Sequence, residues 1–151
     1  MAPARRDALE RWATRLGVVH RFEYIPFADV HRYFAAADCL VMPYRHISQS
    51  GVLYLALAAG VPVVATAVGG LAEVLSDGDS AVMVPPESHE ALGDALVRVL
   101  GDETLRHRLA DGGRKVADEH SWDAIAERTE AALASRTTTA TAARSREGAL
   151  R

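Results

Sequence analysis

The sequence predicts an α/β fold in which a parallel sheet is flanked by helices. Short, continuously apolar segments such as Cys39–Met42 are typical of strands that are buried on both faces of a parallel sheet. A β-branched segment, Pro62–Thr66, follows a helical one, and the alternation continues to Ala81–Val84. Strands that alternate with helices are joined by right-handed crossovers, so the sheet is expected to be parallel.

Four strands and seven helices are expected along the chain. The strands are Val18–Ile25, Cys39–Met42, Pro62–Thr66 and Ala81–Val84. Apolar residues at helical spacing place helices over Ala4–Leu16, Ala28–Ala37 and Val52–Ala59, in a short segment carrying Glu73, and in three segments after Pro86. Ser88 and Ser121 are expected N-caps, and Gly112-Gly113 is expected to weaken the helix that contains it.

These elements predict a single partial domain over residues 1–136 with a helical C-terminal end. Residues 137–151 lack periodicity and few of them are large and apolar, so a disordered tail is expected. Four strands make a narrow sheet and the chain opens on a helix, which is the pattern of an N-terminally truncated domain.

Composition excludes several classes of function. The 151 residues carry a net charge of −3, so no general attraction to nucleic acid is expected. The single cysteine, Cys39, forms no internal disulfide, and the N-terminus lacks the apolar core of a signal peptide; both favour a cytoplasmic protein. The histidines lack metal-ligand spacing, so no metal site is expected.

The polar loop Ser48-Gln49-Ser50-Gly51 lies between an apolar strand and the helix Val52–Ala59. Backbone N–H groups and the macrodipole at a helix N-terminus favour an anion such as phosphate. Arg45 precedes this loop and is a second candidate contact for an anion. The alternative is an ordinary helix cap with solvated neighbours, because serine and glycine are favoured there in any case.

The order of several segments resembles a known family. They are Tyr24-Ile25-Pro26, Val30–Phe34, AADCLVMPYR, SQSGVLYLALAAGVPVVAT, VGGLAEVLSDGDSAVMVPP and Ser121-Trp122. Over about Ala8 to Leu133, the chain resembles the C-terminal, donor-binding domain of retaining GT-B glycosyltransferases of the "glycosyl transferases group 1" type. This resemblance implies a Rossmann-like domain that forms the C-terminal half of the GT-B fold.

The resemblance also implies a function: transfer of a sugar from a nucleoside-diphosphate donor to an acceptor in glycan, polysaccharide or glycolipid biosynthesis. The implied contacts to the donor diphosphate and sugar are Arg45, Ser48, Gln49, Ser50, Gly51 and Val52, and those to the nucleoside are Tyr24, Ile25 and Leu55. No metal or cofactor is implied besides the donor substrate. The implied partners are a glycan or lipid acceptor and an N-terminal GT-B domain, and peripheral membrane association of the full-length enzyme is left open.

Two departures from the family pattern qualify these expectations. The family's paired glutamates are replaced by Ile47 and Leu55, so ribose recognition must be rebuilt or lost. Gln49 is expected to offer a neutral amide to the hydroxyl groups of the donor sugar. The family's basic pair that neutralises the diphosphate, and its acceptor domain, precede the region matched here. The chain alone is therefore expected to be inactive, with no catalytic residue assigned. The alternatives are a non-catalytic nucleotide-binding or scaffold domain, or an inactive fragment.

Overall fold

The computed structural model describes residues 3–134, which fall into two compact units that meet in the sequence between His31 and Arg32. The tail predicted over residues 137–151 lies outside the described residues. The predicted α/β class, with a parallel sheet and a helical C-terminal end, is confirmed.

The first unit is built on helix α1 (Pro3–Arg15). Gly17 adopts a left-handed φ of +68°, and the Val18 N–H donates to the Ala13 carbonyl at 2.8 Å. This arrangement ends the helix at a glycine, as such termini commonly do. Helix α2 (Phe27–Ala35) begins in this unit and continues into the next.

The strand predicted over Val18–Ile25 is wrong. The segment has no regular secondary structure, and among residues 3–134 no strand pairs with it. Val19 is 98% exposed and Tyr24 is 86% exposed. The high β-propensity of the segment was misleading because propensity stabilises a strand only where neighbouring strands and a buried face exist.

The second unit contains a three-stranded parallel sheet made of β1 (Leu40–Met42), β2 (Val63–Thr66) and β3 (Val82–Val84). The strands lie in the order β1-β2-β3. Met42 is in register with Ala65, and Thr66 with Val84. All three strands therefore end at the same edge of the sheet, where parallel α/β proteins place their ligand sites.

Helices cover both faces of this sheet. They are α3 (Gly51–Ala58), α4 (Gly69–Val74), α5 (His89–Gly101) and α6 (Glu103–Glu119). A further helix, α7 (122–134), follows α6 in the sequence and is largely exposed. Val63 and Ala65 pack in a core with side chains of α3 and α4, whereas Val64 packs with those of α5 and α6. This alternation is the two-residue period of a strand, and it explains why β2 is apolar on both faces. Among the described residues, no helix is both long and apolar enough to cross a membrane.

Helix α6 runs unbroken through Gly112 and Gly113, so the weakening predicted at this pair does not interrupt the helix. Both glycines are buried contact points. A Cβ at Gly112 would overlap the Asp79 carbonyl oxygen, and one at Gly113 would lie 2.9 Å from Leu57 Cδ2. The absence of side chains lets α6 approach α3 and the turn before β3, and that packing offsets the low helix propensity of glycine.

Candidate functional site

A cleft of about 730 Å³ opens at the carboxyl ends of the three strands. Its wall combines the segment after β1, the segment after β2 and the turn after β3; the lining residues are Arg45, His46, Ile47, Ser48, Val68, Gly69 and Pro86. Small-molecule sites in proteins typically occupy about 300–1,000 Å³. The cleft therefore has the size and the position in the fold of a ligand site.

Thr66, the last residue of β2, fixes the start of the segment that follows β1. Its side chain is buried, and its hydroxyl lies 2.6 Å from the Tyr44 carbonyl oxygen and 3.3 Å from that of Met42. The hydroxyl thus bonds the chain just before Arg45 to the strand beside it.

The same segment is held farther along by two glycines at the start of α4. A Cβ on Gly69 would overlap the Ile47 carbonyl oxygen, and a Cβ on Gly70 would overlap that of Ser48. The Gly70 N–H also lies 3.4 Å from the Ile47 carbonyl oxygen. Backbone therefore packs directly on backbone, and residues 47–48 are placed beside the cleft with little freedom.

Helix α3 begins beside this cleft without a side-chain cap. Ser50 occupies the N-cap position, yet its hydroxyl makes no capping hydrogen bond. Ser88, Asp102 and Ser121, in contrast, accept from backbone N–H groups of α5, α6 and α7 at 3.2, 2.9 and 3.3 Å. The N–H groups in the first turn of α3 thus lack the partner that an N-cap serine normally supplies.

Arg45 is the cationic side chain at the cleft. It is 74% exposed, and its Nε lies 3.1 Å from Oε1 of Glu87, which is 63% exposed. Arg45 also lines a smaller cavity of about 280 Å³ that contains Thr66, Glu87 and Ser88. Arg45 therefore lines both cavities and is ion-paired with Glu87.

The predicted diphosphate and sugar contacts are partly brought together. Arg45 and Ser48 line the cleft, while Gln49 is exposed beside Gly70. Ser50 is the N-cap of α3, and Gly51 and Val52 form its first turn. Arg45 and Ser48 therefore lie in the cleft wall, and residues 49–52 follow them in the sequence without lining the cleft.

The predicted nucleoside contacts belong to different units. Tyr24 and Ile25 lie in the first unit and Leu55 in the second. Tyr24 is 86% exposed, Ile25 is half-buried, and Leu55 on α3 is 39% exposed. All three remain predictions.

Several cleft residues were not identified from the sequence. Val68, Gly69 and Pro86 line the cleft, and Thr66 positions its rim. Their positions could have identified them, since each lies at or just after the carboxyl end of a predicted strand. Parallel strands bring such residues to one edge of the sheet. Among residues 3–134, no group of three or more His, Cys, Asp or Glu side chains is arranged to hold a metal ion.

Residues 2–102 match the family described as "Glycosyl transferases group 1". The chain belongs to this family. The predicted resemblance is confirmed, and the fold is that of a GT-B C-terminal domain.

Known relatives extend this assignment. The chain is 35% identical over 128 residues to a D-inositol 3-phosphate glycosyltransferase of Thermomonospora curvata, covering 83% of this chain and 30% of the relative. The structure is similar to that of a sucrose-phosphate synthase from Thermosynechococcus elongatus, with a TM-score of 0.76 and 27% identity over 90% of this chain and 35% of that one.

A third relative was crystallised with a nucleotide. Anabaena HepE in complex with UDP shares the fold with a TM-score of 0.74 and 22% identity, covering 85% of this chain and 36% of that one. The group 1 chain described here spans about a third of the length of the curated relatives it matches.

Proposed function

We propose that this group 1 domain binds the diphosphate of a nucleoside-diphosphate sugar between Arg45 and the N-terminus of α3. The observation that carries the proposal is the cleft at the strand ends, which Arg45 and Ser48 line beside a helix start without a side-chain cap. The first-turn N–H groups and the macrodipole supply positive potential. Arg45 adds a full charge on a planar group suited to phosphate oxygens.

The donor class is supported by the family and by its neighbours. A structural relative, HepE, binds UDP and UDP-glucose. Sugar transfer forms a bond between an acceptor oxygen and the anomeric carbon, and it breaks the bond from that carbon to the diphosphate. The nucleoside diphosphate leaves with the bonding electrons, and the acceptor proton is released. In this chemistry the positive groups around the diphosphate stabilise the leaving group as its charge develops.

We extend the proposal to the complete enzyme. The family resemblance supports transfer with retention at the anomeric carbon to a glycan or lipid acceptor, and the single cysteine supports a cytoplasmic location. The same resemblance assigns the acceptor pocket to an N-terminal domain. The 151 residues by themselves are then expected to bind donor without transferring its sugar.

A non-catalytic nucleotide-binding or scaffold role is the alternative. It is favoured by Leu55, which is 39% exposed at a position where the resemblance expects a ribose-binding carboxylate. An aliphatic side chain accepts no hydrogen bond from a ribose hydroxyl. Under this alternative, diphosphate binding persists while the contribution of the ribose to affinity is lost.

The test is an amide NMR titration of the 151-residue chain with UDP, GDP and ADP. We expect shifts at Ser48–Leu53 with one preferred base, and Arg45→Gln should weaken binding about tenfold, which corresponds to ~1.4 kcal/mol. Arg98→Gln, an exposed arginine on α5, is the matched control and should bind as the wild type does. A dispersed spectrum that responds to none of the nucleotides would refute donor binding. Equal affinity for UDP and inorganic pyrophosphate would favour the non-catalytic role.

A further inference from the structure

Glu87 has an unusual backbone conformation at the rim of the cleft. Its φ is +62°, and among the described residues it is the single non-glycine residue with a positive φ. It follows Pro86 in the turn between β3 and α5. A turn with proline at its second position and a positive φ at its third position favours glycine at that third position. A glutamate held there is strained, and such strain is concentrated at functional sites.

The side chain of Glu87 reaches across to the segment after β1. Its Oε1 lies 3.1 Å from Arg45 Nε, and both residues line the smaller cavity. Arg45 in addition lines the larger cleft, whereas Pro86 and not Glu87 contributes there from the same turn. Glu87 therefore contacts the same arginine that the proposed diphosphate site uses.

We propose that Glu87 is a built-in competitor for the donor diphosphate. This inference rests on the function proposed above. An ion pair with both partners largely exposed is weak. A bound diphosphate, which carries several negative charges, therefore replaces Glu87 as the ion-pair partner of Arg45. When the nucleoside diphosphate product leaves, the ion pair between Glu87 and Arg45 forms again. Glu87 is thus a positioning residue that lowers affinity for the diphosphate and favours product release.

A purely structural role for Glu87 predicts a different result. A turn residue without an electrostatic role would be replaced by glycine with relief of strain and no change in anion affinity. Glu87→Gly and Glu87→Gln separate the two roles. The glycine variant relieves the backbone and removes the charge, whereas the glutamine variant removes the charge alone.

The experiment measures the affinity of the 151-residue chain for inorganic pyrophosphate and for UDP, followed by amide shifts in the first turn of α3. Both variants should bind each anion about three- to fivefold more tightly than wild type at low salt, the range expected for losing an exposed ion pair. The gain should shrink at high ionic strength, where exposed charges are screened. Glu90→Gln, which removes an exposed carboxylate in the first turn of α5, is the control and should give a smaller gain.

A double-variant cycle identifies the route of the effect. In an Arg45→Gln background, Glu87→Gln should give no further gain, because the competitor has lost its target. A gain that persists in that background would overturn the inference and assign simple repulsion between Glu87 and the ligand. Unchanged affinity in Glu87→Gln, with wild type binding UDP, would overturn the competitor while leaving donor binding intact. Failure of every variant to bind either anion would refute both.

Discussion

Replacing Gly112 by alanine should destabilise the protein even though alanine is the best helix former. Gly112 lies inside α6, and a Cβ built on it would lie 2.8 Å from the Asp79 carbonyl carbon and 3.2 Å from Ser80 Cα. Both neighbours are backbone atoms of the turn before β3. A flexible side chain can rotate away from a new methyl group, but this turn can yield only by moving as a unit.

The expected magnitude follows from two opposing contributions. Glycine to alanine in a helix interior stabilises by about 0.8–1 kcal/mol through propensity. Forcing an extra carbon into a packed interior costs about 1–3 kcal/mol, and contact with backbone places this site at the upper end. We expect a net loss of about 1–2 kcal/mol. Gly93, in α5, is the matched control because a Cβ added there would have no atom within 4 Å. Gly93→Ala should therefore raise the free energy of unfolding by about 0.5–1 kcal/mol.

Urea unfolding followed by far-ultraviolet circular dichroism measures both variants. With a slope of about 1–3 kcal/mol per molar urea, the Gly112→Ala midpoint should fall by roughly 0.5–1 M while that of Gly93→Ala rises. The slope should be unchanged in both. Equal stabilisation by the two alanines would refute the close packing of α6 against the turn.

Three further outcomes are expected. Asp102→Ala should lower the free energy of unfolding by about 1 kcal/mol, because the Asp102 carboxylate accepts from the Leu105 N–H at 2.9 Å. Ser50→Ala should leave that free energy nearly unchanged, because Ser50 makes no capping hydrogen bond. The urea midpoints of the two variants test the difference. Thr66→Val should lower the free energy of unfolding by about 1–3 kcal/mol in the same assay and weaken UDP binding, since the carbonyl groups of Met42 and Tyr44 lose their hydroxyl donor. Unchanged binding would contradict the positioning role of Thr66. Burial, with a smaller contribution from the Asp38 charge, raises the pKa of the Cys39 thiol above its usual 9.0. Because the folded state holds this proton more tightly, stability is full below the unfolded pKa and should fall as pH rises above about 9; Cys39→Ala should abolish that decline in urea midpoints.

The sheet and its helices were largely predictable because their signals are local. β1, β2 and β3 lie within the predicted apolar segments, and Ser88 and Ser121 cap helices as expected. The segment over residues 18–25 carries the same local signal, but a strand also requires a partner. Whether a partner strand lies beside residues 18–25 cannot be judged from the local sequence.

The site was predictable in position and less so in composition. The polar loop before α3 identified Ser48, and Arg45 was identified because it precedes that loop; both line the cleft. Val68 and Pro86 have no chemical signal of their own and reach the cleft only through the register of the sheet. Glu87 was missed because its left-handed backbone occurs at a turn position where glycine, not glutamate, is the usual marker.

The contact of Gly69 and Gly70 with the carbonyl groups of Ile47 and Ser48 divides the cleft into fixed and variable parts. An insertion or deletion in a segment that packs against main chain at two successive residues would break these backbone contacts. New ligand preferences in this domain must therefore arise by exchanging the exposed side chains of Arg45, His46 and Gln49 on an unchanged backbone path. This geometry therefore favours evolution by side-chain substitution in a loop of constant length.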